Sequence, residues 1–347
     1  MRIGVLTGGG DAPGLNAAIR AVVLRATAQG HSVFGIADGW AGLLGEAEPR
    51  ALAPRDVAGI LGDGGTILGT SRTDPRKDEK TRRAVLDSIR RSSLDALVAI
   101  GGNDTLGVAQ WLHEQGVRVV GVPKTVDNDL AETEFCIGFD TAITVVSDAL
   151  DRLRTTASAH HRVVVVEAMG RDTGWVAAFG GLAGGADLII VPEIPVTGED
   201  IVRTMKRRRA AGDPDILVVV SEAVEIEGLE AQTALDRDAF GHVRLDQRAI
   251  GAVLARYIEQ RTGIEARQVV LGHLQRGGSP TAIDRLRATR FGNAAADLVD
   301  AGKSGVLPVQ RAGRTEVATI TDAVREVRRL TDDYIELVRR FAGVITA

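Results

Sequence analysis

The sequence predicts an α/β fold in which parallel strands are covered by helices on both faces. Two observations carry this prediction. Apolar, often β-branched runs of about five residues alternate with longer amphipathic stretches, and glycine-rich loops follow several of these runs. A strand buried on both faces reads as a continuous apolar run, and the amphipathic stretches between such strands are the covering helices. We therefore expect two sheets of related architecture.

The first part of the chain begins with an apolar run at residues 2–7, which reads as a buried strand. A glycine loop follows, and the amphipathic stretch at 16–27 is predicted to be a helix. Further strands are predicted at 32–37, 97–100 and 117–122, with a helix at 105–115 between the last two.

The later part begins with a long amphipathic segment at 141–157, and a hinge is predicted near Gly138, where a polar loop precedes this segment. Strands are predicted at 163–167, 188–191, 216–220 and 269–271. The densest basic cluster, residues 206–209, is interpreted as a solvated helix end, with a phosphate-binding patch as the alternative.

Composition excludes several classes of protein. The 347 residues suffice for one large or two ordinary domains, and 44% hydrophobic with 25% charged residues excludes disorder as the dominant state. A net charge of −4 and 3% aromatic residues argue against a nucleic-acid partner. Cys136 is the only cysteine, and neither a signal peptide nor a membrane-length apolar run is visible. We expect a cytoplasmic protein without a membrane partner.

Two glycine loops follow predicted strands and open predicted helices, so that their free amides can face an anion. They are Gly-Gly-Gly-Asp-Ala-Pro-Gly-Leu-Asn at 8–16 and Gly-Gly-Asn-Asp-Thr at 101–105. The first is not a dinucleotide fingerprint, because Pro13 stands where glycine is needed, and the only Gly-Lys-Ser has Asp297 in place of the first Walker A glycine. Phosphate binding in a shared crevice is predicted, with tight turns as the alternative.

The third loop, Pro-Lys-Thr-Val-Asp-Asn-Asp at 123–129, again follows a predicted strand. Its carboxylates, Asp127 and Asp129, can divide two tasks, since one can hold Mg²⁺ while the other accepts a proton from a hydroxyl. Lys124 adds the cation that phosphoryl transfer requires. The alternative is an exposed acidic turn.

Later motifs have the chemistry to bind a sugar phosphate. Met169-Gly170-Arg171 follows one predicted strand and Glu222 ends another. The segment 271–280, Leu-Gly-His-Leu-Gln-Arg-Gly-Gly-Ser-Pro, places a histidine, an arginine and a glycine pair after a third strand. A structural role for the lone His273 is the alternative.

In this order, the three loops and the later motifs resemble the phosphofructokinase family over nearly the whole chain. The resemblance implies two Rossmann-like α/β lobes with the active site in the cleft between them. Residues 1–138 plus 276–329 would bind the phosphoryl donor and Mg²⁺, and residues 139–275 plus 330–347 would bind the sugar phosphate. The implied reaction is Mg²⁺-dependent phosphorylation of the 1-hydroxyl of fructose 6-phosphate.

The resemblance also implies a role for each site residue. The catalytic residues would be Asp127 as the base, with Thr125, Lys124 and Arg171 contacting the transferred group. The metal would be held by Asn103 and Asp129. The donor would be bound by Gly10, Arg72, Gly102, Asn103, Asp104, Thr105 and Lys124. The sugar phosphate would be bound by Thr125, Asp127, Arg162, Met169, Gly170, Arg171, Glu222, Arg267, His273 and Arg276.

Arg162 and Arg267 match family arginines that reach the sugar phosphate from a neighbouring subunit. Arginine suits this role because its planar fork binds two phosphate oxygens at once. The resemblance therefore implies a homo-oligomer, a dimer or a tetramer, with an active site shared between subunits.

Two positions indicate which donor is used. Relatives that use ATP have glycine where Asp104 and Lys124 stand, whereas relatives that use pyrophosphate have aspartate and lysine there. The resemblance thus implies a reversible pyrophosphate-dependent enzyme that serves glycolysis and gluconeogenesis. The alternatives are an ATP-dependent 6-phosphofructokinase and a sedoheptulose 7-phosphate kinase. A further departure is Asn103, where the family has an acidic residue; weaker Mg²⁺ binding is expected, and a catalytically impaired paralogue is another alternative.

Overall fold

The computed structural model describes residues 1–45, 48–229, 236, 240–241 and 248–344, and the chain forms two compact units. The first has Met1–Thr141 and Arg276–Val327 as its main segments, and the second has most of the chain between them together with the residues from Arg328 onward. The predicted lobes divide after 138, 275 and 329, and the observed units divide after 141, 275 and 327. The roles assigned to the two lobes stay predictions.

Strands and helices alternate along most of the described chain. The strands are β1 (Arg2–Thr7), β2 (Ser32–Gly35), β3 (Arg50–Leu52), β4 (Ala96–Gly101), β5 (Val119–Pro123), β6 (Val163–Ala168), β7 (Leu188–Ile190), β8 (Ile216–Ser221), β9 (Ala266–Val270), β10 (Val306–Arg311) and β11 (Arg314–Thr319). The helices are α1 (Leu15–Ala28), α2 (Glu79–Arg91), α3 (Asn103–Glu114), α4 (Phe139–His160), α5 (Trp175–Ala183), α6 (Gly198–Ala210), α7 (Ile250–Thr262), α8 (Ala282–Asp300), α9 (Ile320–Ala323) and α10 (Asp332–Ala342).

The first unit is built on a seven-stranded sheet of order β11-β10-β5-β4-β1-β2-β3. Its inner strands are parallel, while β3 and β11 run antiparallel to their neighbours at the two edges. Successive side chains of a strand point to opposite faces, so Val98 packs with α1 and α8 while Leu97 packs with α2 and α3. Both faces are thus covered, and the carboxyl ends of β1, β4 and β5 lie side by side.

The second unit contains a four-stranded parallel sheet of order β7-β8-β6-β9. Its core joins Val165 of β6 and Val218 of β8 to apolar residues of α6 and α7, such as Met205 and Leu254. Along β6 every residue is buried, which explains its run of four valines at 163–166, and the buried carboxylate of Glu167 accepts a hydrogen bond from the amide of Gly251 at 2.7 Å.

The predicted α/β class is confirmed, with differences at the edges. Strand β9 begins at Ala266 and ends at Val270, so the prediction of a strand at 269–271 is displaced. The start of β9 is polar because β9 is an edge strand with exposed side chains, and an apolar run does not mark such a strand. The basic cluster forms the last turn of α6, as predicted, and Arg209 donates a hydrogen bond to the carbonyl of His161 there. Within the described ranges, no helix is long and apolar enough to cross a membrane.

Candidate active site

A buried lysine joins two loops of the first unit. Lys124 follows β5, is only 3% exposed, and donates from Nζ to the carbonyl oxygens of Gly10 at 2.5 Å and of Gly8 at 3.2 Å. Burial, reinforced by the nearby charge of Arg276, lowers the pKa of Lys124 to about 8, while Asp11 and Asp127 act in the opposite direction. An ammonium group is therefore held against the glycine loop that follows β1.

Close packing explains why these loops need glycine. The buried side chain of Thr105 lies against the loops after β1 and β4. A Cβ atom at Gly8 would stand 2.6 Å from Thr105 Oγ1, and one at Gly101 would stand 2.3 Å from Thr105 Cβ. Thr105 is thus a packing element between the two loops, which adds to its predicted role in donor binding.

The loop after β5 buries its carboxylates instead of exposing them. Asp127 and Asp129 are 7% and 5% exposed, so the alternative of an exposed acidic turn is wrong. Thr125 Oγ1 accepts from the Asp127 amide at 3.1 Å and lies 3.4 Å from Asp127 Oδ2. Asn103 Nδ2 donates to Asp129 Oδ2 at 3.2 Å, which brings together the loops after β4 and β5.

Arg276 belongs to the first unit and lies beside the first glycine loop. Its Nη1 donates to the carbonyl of Asp11 at 3.0 Å, and a Cβ at Gly10 would stand 2.7 Å from the same atom. The predicted sugar-phosphate ligand Arg276 is therefore a neighbour of the predicted donor loop. Gly10 provides the space for its guanidinium group.

The remaining predicted donor residues differ in exposure. Gly102 immediately precedes α3, so the amides of this loop open a helix, where anions are favoured. Asp104 is half-buried in the first turn of α3. Arg72 is exposed.

In the second unit, three loops at the carboxyl ends of parallel strands are joined by hydrogen bonds. The amide of Gly170 donates to Glu222 Oε1 at 3.2 Å, and the amide of Met169 donates to Gln275 Oε1 at 3.3 Å. Gly170 has φ +149°, and a Cβ there would stand 2.4 Å from the carbonyl of Thr173, so glycine is required.

One residue of this cluster, Gln275, is not among the site residues predicted from the sequence. Gln275 is fully buried and holds the Met169 amide, although it stands between His273 and Arg276 in a motif that was singled out. Its position next to residues of obvious charge was the only available signal. His273 is exposed, and Arg171 is half-buried in the loop that follows β6.

Arg162 and Arg267 lie apart from this cluster. Arg162 immediately precedes β6, and Arg267 pairs with Val164 near its start, whereas Met169 follows the other end of the six-residue strand. At ~3.3 Å per residue, six strand residues span about 20 Å. The second unit therefore does not bring these arginines to the residues after β6.

Both arginines converge instead on one carboxylate. Glu265 Oε1 lies 2.8 Å from Arg267 Nη2 and 3.7 Å from Arg162 Nη1. Within the described residues, the buried Nε of Arg162 has no hydrogen-bond partner. The guanidinium group of Arg162 thus retains hydrogen-bonding capacity for a ligand.

Oxygen atoms that suit Mg²⁺ are present on the loops after β4 and β5. In the part of the chain that the structure describes, no group of three or more His, Cys, Asp or Glu side chains is arranged to hold a metal ion. Asp129 and Asn103 nevertheless meet through their side chains, and Mg²⁺ typically takes one or two carboxylates and completes its shell with water and phosphate oxygens. The donor set therefore fits an ion that arrives with a phosphate ligand.

Glycine loops, a buried ammonium group and paired carboxylates at one edge of a parallel sheet are the features of an α/β phosphotransferase. The comparisons narrow this class. The phosphofructokinase family model matches residues 2–299, and the chain belongs to this family.

Curated relatives match nearly the whole chain. A pyrophosphate–fructose 6-phosphate 1-phosphotransferase of Amycolatopsis methanolica is 48% identical, covering 99% of this chain and 100% of that protein. An ATP-dependent 6-phosphofructokinase of Streptomyces coelicolor is 45% identical, covering 96% and 97%. The fold matches the crystal structure of a pyrophosphate-dependent phosphofructokinase from Nitrosospira multiformis with TM-score 0.84 at 21% identity, covering 99% and 89%.

Proposed function

We propose that this protein transfers a phosphoryl group from pyrophosphate to the 1-hydroxyl of fructose 6-phosphate, reversibly and with Mg²⁺. The observation that carries the choice of donor is the buried ammonium group of Lys124, fixed to the carbonyl oxygens of Gly8 and Gly10. Pyrophosphate has no nucleoside to anchor it, so a fixed cation is the main contact that the protein can offer. The name of the Amycolatopsis relative supports the same donor.

Asp104 supports this choice by opposing a nucleotide. It lies in the first turn of α3, next to the second glycine loop, where it adds bulk and negative charge. Like charges about 4 Å apart repel by ~1 kcal/mol in water and by ~4 kcal/mol at an effective dielectric constant near 20. A longer polyphosphate with a ribose close to this side chain is disfavoured.

The mechanism uses Asp127 as the base. Asp127 takes the proton of the 1-hydroxyl as the sugar oxygen bonds to the nearer phosphorus, and the bridging oxygen leaves with the other phosphate. Thr125 contacts this carboxylate and helps to fix its direction. Lys124 and Arg171 stabilise the charge that spreads over the transferred group.

Asp129 and Asn103 would hold Mg²⁺, which would neutralise charge on the phosphate oxygens. The side-chain oxygen of Asn103 would bring no negative charge, and its Nδ2 is the atom that contacts Asp129, so the protein's share of the binding would be smaller than that of two carboxylates. Met169, Gly170, Glu222, His273 and Arg276 would orient the sugar phosphate.

We also propose a homo-oligomer of at least two subunits with shared sites. Arg162 precedes β6 and Arg267 lies near the start of β9, so at ~3.3 Å per residue their backbones are roughly 15–25 Å from the residues that follow β6. If they bind the sugar phosphate, a neighbouring subunit has to supply them.

The test gives purified protein Mg²⁺, fructose 6-phosphate and either pyrophosphate or ATP, and quantifies fructose 1,6-bisphosphate. Product from pyrophosphate alone is expected, and phosphate should release pyrophosphate from fructose 1,6-bisphosphate in reverse. Asp127→Asn, which keeps the size of the side chain but removes the base, is the matched control and should be inactive.

Each other outcome of this assay has a definite meaning. Product from ATP alone would contradict the assignment of pyrophosphate as the donor. ATP is the alternative donor because an ATP-dependent relative is almost as similar to this chain. A higher rate with sedoheptulose 7-phosphate would change the substrate. No product from a folded oligomer would favour an impaired paralogue.

A further inference from the structure

The residue between the two carboxylates of the proposed site, Asn128, is buried and its side chain is hydrogen-bonded to backbone groups of another segment. Asn128 is fully buried and has φ +52°, in the left-handed region that asparagine tolerates better than most residues. Its Nδ2 donates to the carbonyl of Glu134 at 3.1 Å, and its Oδ1 accepts from the amide of Cys136 at 2.8 Å. The loop that contains Asp127 and Asp129 is thus held to a second stretch of backbone.

That second stretch is held in turn by α8. Arg287 donates from Nη1 to the carbonyl of Cys136 at 3.4 Å and to Asp284 Oδ1 at 2.9 Å. The fully buried Asp284 accepts from the amide of Gly138 at 3.0 Å, and its Oδ2 accepts from the amide and hydroxyl of Thr141 at 2.8 and 2.7 Å. A buried ion pair therefore fastens both ends of the segment between Cys136 and the first turn of α4.

The same segment returns to the start of the catalytic loop. The amide of Ile137 donates to the carbonyl of Pro123 at 3.1 Å, immediately before Lys124. Buried polar groups cost free energy unless they are bonded, and a fully bonded network holds one geometry. The loop that carries Lys124, Asp127 and Asp129 is thus held at Pro123 and at Asn128 by a segment that α8 fixes in turn, so the network determines where these side chains stand.

We propose that Asn128 is a positioning residue for the Asp127 and Asp129 carboxylates, and that the Asp284–Arg287 pair anchors the same network from α8. The inference rests on the proposed function, because it takes Asp127 as the base. None of the three residues needs to touch a substrate.

The principal variant is Asn128→Gly. Glycine adopts a positive φ without strain, so the substitution removes both side-chain bridges while leaving the backbone conformation accessible. A misplacement of ~1 Å costs up to about 10²-fold in rate, and loss of a supporting residue around a metal site typically costs about 10–100-fold. We expect kcat to fall by about 10- to 100-fold, a larger change than in the KM value of either substrate.

Asp284→Asn tests the anchor, because it removes the charge that pairs with Arg287. If the residues act as one network, the double variant should lose little more kcat than the more damaging single variant. Val23→Ala, in the buried core of the same unit, is the control for a general loss of stability and should leave kcat per folded molecule unchanged.

Amide hydrogen exchange of residues 125–130 provides a readout that needs no activity. Exchange there should rise in Asn128→Gly and Asp284→Asn and stay at the wild-type level in Val23→Ala. Wild-type protein without activity would contradict the proposed function, and exchange alone would then decide the inference.

Three results would overturn the proposal. The first is an unchanged kcat together with unchanged exchange in Asn128→Gly. The second is the same change in exchange in Val23→Ala. The third is a double variant whose loss is the product of the two single losses. If Asn128→Gly does not fold, Asp284→Asn and the control decide on the same measures.

Discussion

At the scale of single residues, burial makes the charge of Lys124 sensitive to pH. The pKa of Lys124 is about 8 because burial opposes the charged form, whereas a free lysine titrates near 10.5. The pH profile of kcat/KM reports groups of the free enzyme. We expect kcat/KM for pyrophosphate to fall above pH 8, approaching tenfold per pH unit. Lys124→Met separates this loss from the titration of pyrophosphate itself, since only the loss due to the lysine should disappear.

The same shift has a consequence for stability, with the opposite sign. The lysine of the unfolded chain keeps its proton up to about pH 10.5, while the folded protein releases it near pH 8. Between these values the unfolded state binds more protons, so this group makes the free energy of unfolding increase with pH. Chemical denaturation of wild-type protein and Lys124→Met from pH 7 to 10 measures the difference.

Asn103 sets the demand for metal. Asn103→Asp replaces an amide that donates to Asp129 with a second carboxylate at about the same distance. Without Mg²⁺ the two negative charges repel, so we expect a lower melting temperature in chelator. Added Mg²⁺ should restore the melting temperature. The variant should also reach half-maximal activity at a lower Mg²⁺ concentration than wild-type protein. An unchanged metal dependence of both properties would contradict this account.

The charged residues of the site are easier to predict from the sequence than the residues that hold them in place. Lys124, Asp127 and Asp129 stand out because they follow a predicted parallel strand, at the end where ligands bind in α/β sheets. Asn128 lies between them but gives no signal of its own, because its bonds join it to backbone that only the fold brings near. Asp284 is even harder to predict as a supporting residue, because its partner Gly138 is 146 residues away in the chain.

At the scale of elements, the fully buried strands were predicted, including β7 at the edge of its sheet, whereas β3, β10 and β11 were not. The strands β1, β4, β5, β6 and β8 are buried along almost their whole length, so composition alone marks them. The edge strands β3 and β11 are short or largely exposed, and their polar residues resemble those of loops. The displacement of β9 has the same cause, because β9 lies at one edge of its four-stranded sheet and most of its side chains are exposed or half-buried.

At the amino ends of β6 and β9, a carboxylate and the proposed sugar phosphate would compete for the same two arginines, and this competition can be tested. Glu265 holds Arg162 and Arg267, which we propose bind the sugar phosphate, so carboxylate and phosphate compete for the same cations. Partly exposed ion pairs contribute about 0.5–1 kcal/mol. Glu265→Gln should therefore lower the KM for fructose 6-phosphate about two- to fivefold without changing kcat.

Glu259→Gln is the matched control for this competition. Glu259 lies 3.7 Å from Arg267, and its effect on the KM should be smaller because it meets only one of the two arginines. A higher KM in Glu265→Gln would mean that the carboxylate orients the arginines instead of competing for them.

At the scale of the whole molecule, the proposal of shared sites predicts complementation between inactive subunits. Asp127→Asn and Arg162→Ala should each have little activity alone. In a mixed dimer, one shared site contains both substitutions and the other contains neither. Random exchange of equal amounts makes about half of the dimers mixed, so we expect roughly a quarter of the wild-type activity to return.

Dissociation and reassociation of the two variants, followed by assay and by sedimentation, makes this measurement. Each variant carried through the same treatment alone is the control. An absence of recovered activity in verified mixed dimers would mean that each site is complete within one chain.

The discontinuous make-up of the first unit has a consequence for its biosynthesis. Strand β10 joins the sheet beside β5, and α8 supplies the Asp284 that binds the start of α4, although both follow Arg276 in the chain. At 5–20 residues per second, the roughly 130 residues between the two segments take about 7–26 s to translate. During that interval β5 lacks a neighbour on one side, and the buried amides of Gly138 and Thr141 lack their carboxylate. The nascent chain therefore exposes an unfinished sheet edge, where chaperone binding or misfolding is expected to concentrate.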